Sequence, residues 1–453
     1  MYRAATMRLT DLEARVVDRI AQRESELVEL LRALIAFDTV THRPGTRPRQ
    51  EAALQAFVAE RLRRAGAQVE VSEPDVLRIA DHPAVPEGFS FAGRPQLVAR
   101  FGGAGGGRTL LLCGHVDVVD ADAAQWTVDP FDAVVDAGAV WGRGACDMKG
   151  GVASMIVAAE SLAELGIVLA GDLLVNTVTD EESTGAGGLV SARTLRADGA
   201  IVPEPSSLAI ATACRGSMLP SLIVRGRAGH AGVPPRHHLD GGAVNAIDKA
   251  ALMIEAMHRL REEWALRRPH PLLSPADCVP TQITGGEWIV SYPEQCILDC
   301  HIEYLPTGDG GDPAPAVQRE FEEWIAAAAA ADPWLREHPP EITWSVGAVP
   351  PAHVDHDDQL VRALIGADRD LGGAGAITGF DNWHDGAFLI VEGQIPAVCY
   401  GPRALDVAHT VDERVPIEDL VRTAQGIAVT AMRFCGLDES PAGAASDPAE
   451  LAA

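Results

Sequence analysis

The segment TLLLCGHVDVV, Thr109 to Val119, and the turn WGRGACDM, Trp141 to Met148, decide the reading of this chain. Thr109 to Cys113 is a short apolar run between the glycine-rich FGGAGGGR and a polar stretch, the pattern of a buried strand. It runs out in Gly114, His115, Val116 and Asp117. On an extended backbone alternate side chains share a face, so His115 and Asp117 point the same way. A histidine at a strand end with a carboxylate beside it suits a metal ligand and its orienting partner. Asp147, in the glycine-rich turn that follows, adds a second donor of the type zinc accepts.

Outward from this stretch, strands alternate with helices. Asp147 is followed by a helix whose apolar positions include Met155, Ile156, Ala159, Leu162 and Leu165. Asp172 to Thr179 reads as a strand ending in Asp180, Glu181 and Glu182, and Gly185 to Gly188 opens the next helix. Ala200 to Val202 reads as a strand ending at Pro203, Glu204 and Pro205. The alternation predicts an α/β fold, a mainly parallel mixed sheet flanked by helices. In such sheets sites gather beyond the carboxyl ends of the strands, where His115, Glu181, Glu182 and Glu204 all fall. Upstream, a capping box at Thr10 and Glu13 predicts one helix to about Phe37. A second helix spans Gln50 to Ala65, and a strand covers Gln68 to Val71. Leu97 to Phe101 and Thr109 to Cys113 read as a strand pair joined by a flexible glycine hairpin. Those glycines lie between two strands, and a dinucleotide site needs them between a strand and a helix.

Near Arg215 the pattern changes. Strands at Leu219 to Val224, Cys278 to Thr284, Gln295 to Leu305 and Glu341 to Val346 surround helices at Gly242 to about Arg261 and Val317 to Ala331. This predicts an inserted α+β domain over 216–347, between catalytic parts 1–215 and 348–436. The Ala-, Asp-, Glu- and Pro-rich tail, 437–453, is predicted to be disordered.

With 453 residues and 47% hydrophobic residues, the chain is too long for one ordinary core and too apolar for disorder. Lysine and arginine number 37 against 64 acidic residues, a formal charge of -27, which disfavours nucleic acid and anionic membrane as partners. The eight cysteines are dispersed and fall mainly in apolar runs, so reduced, buried thiols and a cytoplasmic location are expected. Cys146, beside Asp147, suits packing better than metal ligation. No run approaches the roughly 20 apolar residues of a membrane span.

A hydrolase needs an activated water, a base and a positive centre for the oxyanion. Two metal ions roughly 3.5–4 Å apart supply the first and the third. Two close dications repel, so an anionic bridge lowers the cost, and Asp147 is the candidate bridge. His115 and Glu204 then complete one site, Glu182 and His409 the other, and Glu181 faces the water as general base. Singly, each residue has a plainer reading: His409 as a cap, Glu181 and Glu182 as a solvated helix start, Glu204 as an exposed turn, Asp147 as a helix cap, Asp117 as an exposed strand end. Five donors at sheet edges together make coincidence the weaker account.

The chain resembles the co-catalytic zinc peptidase and deacylase family that contains acetylornithine deacetylase, succinyl-diaminopimelate desuccinylase, aminoacylase and glutamate carboxypeptidase. The resemblance rests on GHVDVV (Gly114–Val119), GRGACDMKGG (Gly142–Gly151), TDEESTG (Thr179–Gly185), PEP (Pro203–Pro205), RGRAGHAGVP (Arg225–Pro234), GAVNAI (Gly242–Ile247), YGP (Tyr400–Pro402) and AHTVDE (Ala408–Glu413). It implies a zinc-exopeptidase-like fold with an inserted dimerisation domain. It also implies two divalent cations, zinc first and cobalt or manganese as alternatives, held by His115, Asp147, Glu182, Glu204 and His409. Asp117 and Glu181 keep the roles given above. The resemblance adds His230, which would reach the neighbouring active site of a homodimer and steady the oxyanion. By the same resemblance, glutamate at 204 leans toward removal of an acyl group from a small N-acylated amine or amino acid. Dipeptidase or carboxypeptidase action is the alternative, and a non-catalytic binding protein is disfavoured because no ligand or base is missing.

Three positions depart from the family pattern. Val290 stands where an asparagine is usual, His301 replaces an arginine that often grips a substrate carboxylate, and Arg403 follows Gly401 and Pro402 in place of glycine. The expectation is an intact hydrolytic centre with altered substrate recognition, His301 and Arg403 being the candidate substrate contacts and Arg403 a replacement grip for a carboxylate.

Overall fold

Strand Leu110–His115 lies inside a nine-stranded sheet, between Leu173–Val178 and Gly199–Val202 and parallel to both. The computed structural model describes residues 8–41, 49–234, 236–267, 270–308, 311–403 and 405–438. The tail expected to be disordered falls outside that range from 439 on. Along the sheet the order is Gln68–Ser72, Gln96–Phe101, Leu173–Val178, Leu110–His115, Gly199–Val202, Ala397–Cys399, Ile210–Cys214 and Ala352–His353, with Ile377–Phe380 beside Ile210–Cys214. The central run from Leu173–Val178 to Ala397–Cys399 is parallel, and antiparallel pairing is confined to the flanks. Every residue of Leu110–His115, Leu173–Val178 and Gly199–Val202 is buried, as strands covered on both faces require.

Helix Lys149–Glu164 packs on Ile417–Cys435 and Glu24–Ile35, while Ala186–Thr194 packs on Gly386–Val391. From Lys149 to Leu162 every residue of the first helix is buried, so its apolar character all round reflects a place between layers.

Two expectations are corrected here. Gln96–Phe101 and Leu110–His115 do not pair, because Leu173–Val178 lies between them and bonds to both. The glycine stretch is a packed contact: Ala104 N donates to Leu169 O at 2.9 Å and Gly105 N to Ala170 O at 2.8 Å. A Cβ at Gly107 would stand 2.1 Å from Cys435 O, so only glycine permits this approach. Secondly, the first helix is two, Asp11–Gln22 and Glu24–Ile35, broken at Arg23. That buried arginine bonds Glu26, Glu160 and Ser161, which ties the break to helix Lys149–Glu164. The capping box is present, Thr10 N donating to Glu13 Oε2 at 2.7 Å.

A four-stranded antiparallel sheet, ordered Asp277–Gly285, Gln295–Tyr304, Gly216–Arg225 and Glu341–Val349, is built from the middle segment, its last strand running two residues past the expected end at 347. Gln295–Tyr304 alternates strictly between partly exposed and buried positions, the buried face joining helices Ala246–Arg267 and Ala314–Ala331 in a separate core from Met218 to Leu335. All eight cysteines are buried and none is in a disulfide. Among the described residues no helix is long and apolar enough to cross a membrane.

Candidate metal centre

Four central parallel strands deliver the site. His115 ends Leu110–His115; Asp180 to Glu182 follow Leu173–Val178; Glu204 follows Gly199–Val202; and the segment that reaches His409 leaves from Ala397–Cys399. Parallel strands put these ends at one sheet edge, so residues far apart in sequence converge there.

The centre of the cluster is Asp147. Its Oδ1 lies 3.2 Å from His115 Nε2 and its Oδ2 3.2 Å from His409 Nε2, so one carboxylate spans two imidazoles. Glu204 Oε1 stands 3.5 Å from His115 Nε2, and Glu182 Oε2 stands 3.1 Å from His409 Nε2. Glu181 Oε2 is 3.8 Å from His115 Nε2. Ligand atoms of His115, Asp147 and Glu182 lie within 4.8 Å of one another, a candidate metal-holding group. Two of these carboxylate oxygens, Glu182 Oε1 and Glu204 Oε1, are buried without a hydrogen-bond partner. Buried anions are tolerated when paired or bound to metal, and this donor set of three carboxylates and two imidazoles fits divalent cations.

The charges agree. Burial raises Glu204 and Glu181 well above the ordinary carboxylate range, despite the opposing pull of His115. Burial would lower His409, but hydrogen bonds to Asp147 and Glu182 push it up to about 11. Asp147 is held low against its burial by hydrogen bonds from the same two imidazoles.

Asp117 acts differently from the expectation. His115 Nδ1 meets the main-chain carbonyl of Asp117 at 2.9 Å, whereas the Asp117 carboxylate is 3.7 Å from that nitrogen. The carboxylate instead accepts the amides of Glu181 at 3.3 Å and Glu182 at 3.2 Å. Asp117 therefore orients the imidazole through its backbone and the glutamate turn through its side chain. That turn is closed by Gly185 N donating to Asp180 O at 2.9 Å. Asp180 and His409 both adopt left-handed backbone angles, φ 69° and φ 58°, costing of order 1–3 kcal/mol each unless the surroundings hold them. Gly185 shares this region at φ 69°, and a Cβ there would collide with Trp383.

The plainer reading of Asp147 as a helix cap is excluded, since helix Lys149–Glu164 has no side-chain cap. The Asp147–Met148 peptide is cis.

Three singled-out residues lie apart from the cluster in their bonding. His230 is exposed on a two-stranded ladder with Ser291, and its Nδ1 accepts from Gly232 N at 3.0 Å. His301 Nε2 meets Ser217 Oγ at 2.8 Å on the middle sheet, and burial, with Arg215 adding, lowers its pKa. Arg403 is engaged: its Nε donates to Asp419 Oδ2 at 2.7 Å and its Nη2 to Asp419 Oδ1 at 2.7 Å and to Glu418. The expected free guanidinium for a substrate carboxylate is thus replaced by a tie to the first turn of helix Ile417–Cys435, where two adjacent acids attract it.

Sequence reasoning passed over Glu51, Arg143 and Glu413, all buried. Glu51 accepts from Thr179 Oγ1 just before the glutamate turn. A signal existed for Arg143 and Glu413, each standing inside a motif whose metal-ligand candidate had been noticed, and none for Glu51.

Residues 111–433 match peptidase family M20/M25/M40. N-formyl-4-amino-5-aminomethyl-2-methylpyrimidine deformylase of Halalkalibacterium halodurans is 28% identical, the match covering 92% of this chain and 96% of that protein. Acetylornithine deacetylase of Myxococcus xanthus is 31% identical over 91% of this chain and 99% of its own length. Human carnosine dipeptidase 1 superposes with a TM-score of 0.73 at 17% identity, covering 94% of this chain and 99% of that one. With the matched span running from the central strand to the last helix, the chain belongs to peptidase family M20/M25/M40.

Proposed function

We propose that this protein is a two-metal amidohydrolase that removes an acyl group from a small N-acylated amine. The observation that carries the reading is the Asp147 carboxylate, one oxygen 3.2 Å from His115 and the other 3.2 Å from His409. In this reading His115, Asp147 and Glu204 hold one divalent cation and Asp147, Glu182 and His409 the other, with zinc first by donor type. Such ions, when bound, supply an acidified water and a positive centre for the developing oxyanion.

The chain's own groups do the rest. Glu181 takes the proton from water and returns it to the leaving amine, a role suited to a carboxylate whose proton affinity is raised by burial. Asp117 fixes the backbone from which Glu181 and Glu182 project. The burial of His115 and Glu204 strengthens the electrostatic contacts on their side of the centre, while His409 stays open to solvent on the other.

For the substrate, the absence of an arginine at 301 and the engagement of Arg403 argue against recognition of a carboxylate on the amine half. The deformylase relative's named substrate, an N-formyl aminomethylpyrimidine, carries no carboxylate. N-formyl and N-acetyl aminomethyl heterocycles are therefore the favoured class, ahead of N-acyl amino acids. The reading includes a homodimer through the middle segment, with His230 reaching the partner's site. That part stands on family resemblance and is tested by mass in solution and by His230→Ala.

The functional test is a hydrolysis panel of formyl, acetyl, succinyl and dipeptidyl amides, with zinc, cobalt or manganese added and a chelator control. Chelator-sensitive release of amine from the formyl or acetyl heterocycles supports the proposal. Turnover of dipeptides alone, or chelator-insensitive turnover, overturns it.

A further inference from the structure

Two ligand-bearing segments of the centre are far apart in the chain, the turn 142–147 and the stretch 409–413. One carboxylate joins them. Glu413 is fully buried, and its Oε2 accepts from Arg143 Nη1 at 2.7 Å and from Gly144 N at 3.1 Å. Its Oε1 accepts from Cys146 N at 2.9 Å and from Asp147 N at 3.2 Å. The backbone adds a fifth tie, Gly142 N donating to Glu413 O at 2.9 Å. Arg143 is itself buried, donates to Asp120 O at 3.1 Å and lies over the Trp126 ring at 5.1 Å, so it is a fixed post. The neighbouring Asp412 is held by Thr127, which donates to its Oδ1 through N at 2.9 Å and Oγ1 at 3.0 Å.

We infer that Glu413 is a positioning residue that sets the distance between Asp147 and His409 and so the affinity of the centre for its second divalent cation. The inference rests on the two-cation reading above. The bond to Asp147 N acts on the residue that spans both imidazoles, and His409 stands four residues from the pinned carboxylate. The left-handed angle of His409 needs its surroundings to impose it; on one side Thr410 N and Oγ1 donate to Val407 O, and on the other the chain is held by the ties at 412 and 413. A carboxylate that takes four donors is matched to its place in charge as well as shape, so a neutral amide of the same size faces donors with its own N–H groups. Groups that orient metal ligands typically govern metal affinity by 10–100-fold.

The test titrates chelator-stripped protein with Co²⁺ alone, following binding by competition with a chelating dye and geometry by the visible spectrum of bound cobalt. The parent is expected to take up two ions per chain. Glu413→Gln is expected to bind one with near-parent affinity and the other about 10–100-fold more weakly, with an altered cobalt spectrum. Arg143→Lys, which keeps the charge but alters one of the four donors, is expected to show a smaller loss at the same ion and serves if Glu413→Gln does not fold. A role in stability alone would lower the melting temperature and leave both affinities in place. Two ions in the parent with unchanged affinities in whichever variant folds overturns this inference and spares the proposed function. A parent that binds no cobalt overturns both.

Discussion

Replacing Glu51 by glutamine should make the protein more stable at pH 8 and leave it nearly unchanged at pH 5. Glu51 has no exposed surface; one oxygen accepts from Thr179 and the other, Oε2, has no partner. Burial is the largest influence on its carboxyl and, with the charge of Asp117, outweighs Thr179, Arg49 and Arg94 to raise it from 4.5 to about 7. A carboxyl whose folded pKa is raised favours folding fully below its unfolded value, and that stability is lost as pH climbs through the folded value. The window is therefore from about 4.5 to about 7. At ~1.4 kcal/mol per unit the ionised group costs up to about 3 kcal/mol above that window. Glutamine keeps the shape and an acceptor for Thr179 but never ionises, so the gap at pH 8 should be about 1–3 kcal/mol in favour of Glu51→Gln. Urea midpoints of parent and variant, followed by far-UV circular dichroism at pH 5 through 8, read the difference directly, since other titrating groups are common to both. A gap that does not grow with pH, or a parent that is the more stable protein at pH 8, would refute the reasoning.

The other expectations concern activity and its scaffold. Glu181→Gln should retain its divalent cations by elemental analysis and lower kcat by about 10²–10⁴-fold; near-parent turnover would remove Glu181 from its place as base. Arg403→Ala should leave KM for the true substrate unchanged while lowering the melting temperature, since buried Asp419 loses partners worth about 1–3 kcal/mol. A raised KM with unchanged stability would restore Arg403 as a substrate contact.

The site was more legible in the sequence than the path of the chain around it. His115, Glu182 and Glu204 could be grouped because each follows an apolar run that ends abruptly, and strand ends share an edge in a parallel sheet. The insertion of Leu173–Val178 between Gln96–Phe101 and Leu110–His115 had no such local sign. Two apolar runs joined by glycines look alike whether they pair or are prised apart by a third strand from 60 residues on, and only long-range packing decides. The helix break at Arg23 was hidden because the apolar period continues through it; the buried ion pair with Glu160 shapes that point. For Asp117 the residue was visible and the atom was not, because a main-chain carbonyl serves any residue type. Arg403 shows the same limit, its fate being set by Asp419 and Glu418 on a helix that packs beside it. Glu413 is the deepest case, since three of its four donors are backbone amides, which leave no trace in side-chain identity.

The central claim is that one carboxylate, Asp147, is shared between two cations. The measurement that tests it most directly is the divalent-ion content of freshly purified protein beside that of Asp147→Ala, both by elemental analysis. Two ions per chain in the parent, and a loss reaching both in Asp147→Ala, is the predicted result. A parent without bound divalent ions, or an Asp147→Ala protein that keeps both, would contradict the account.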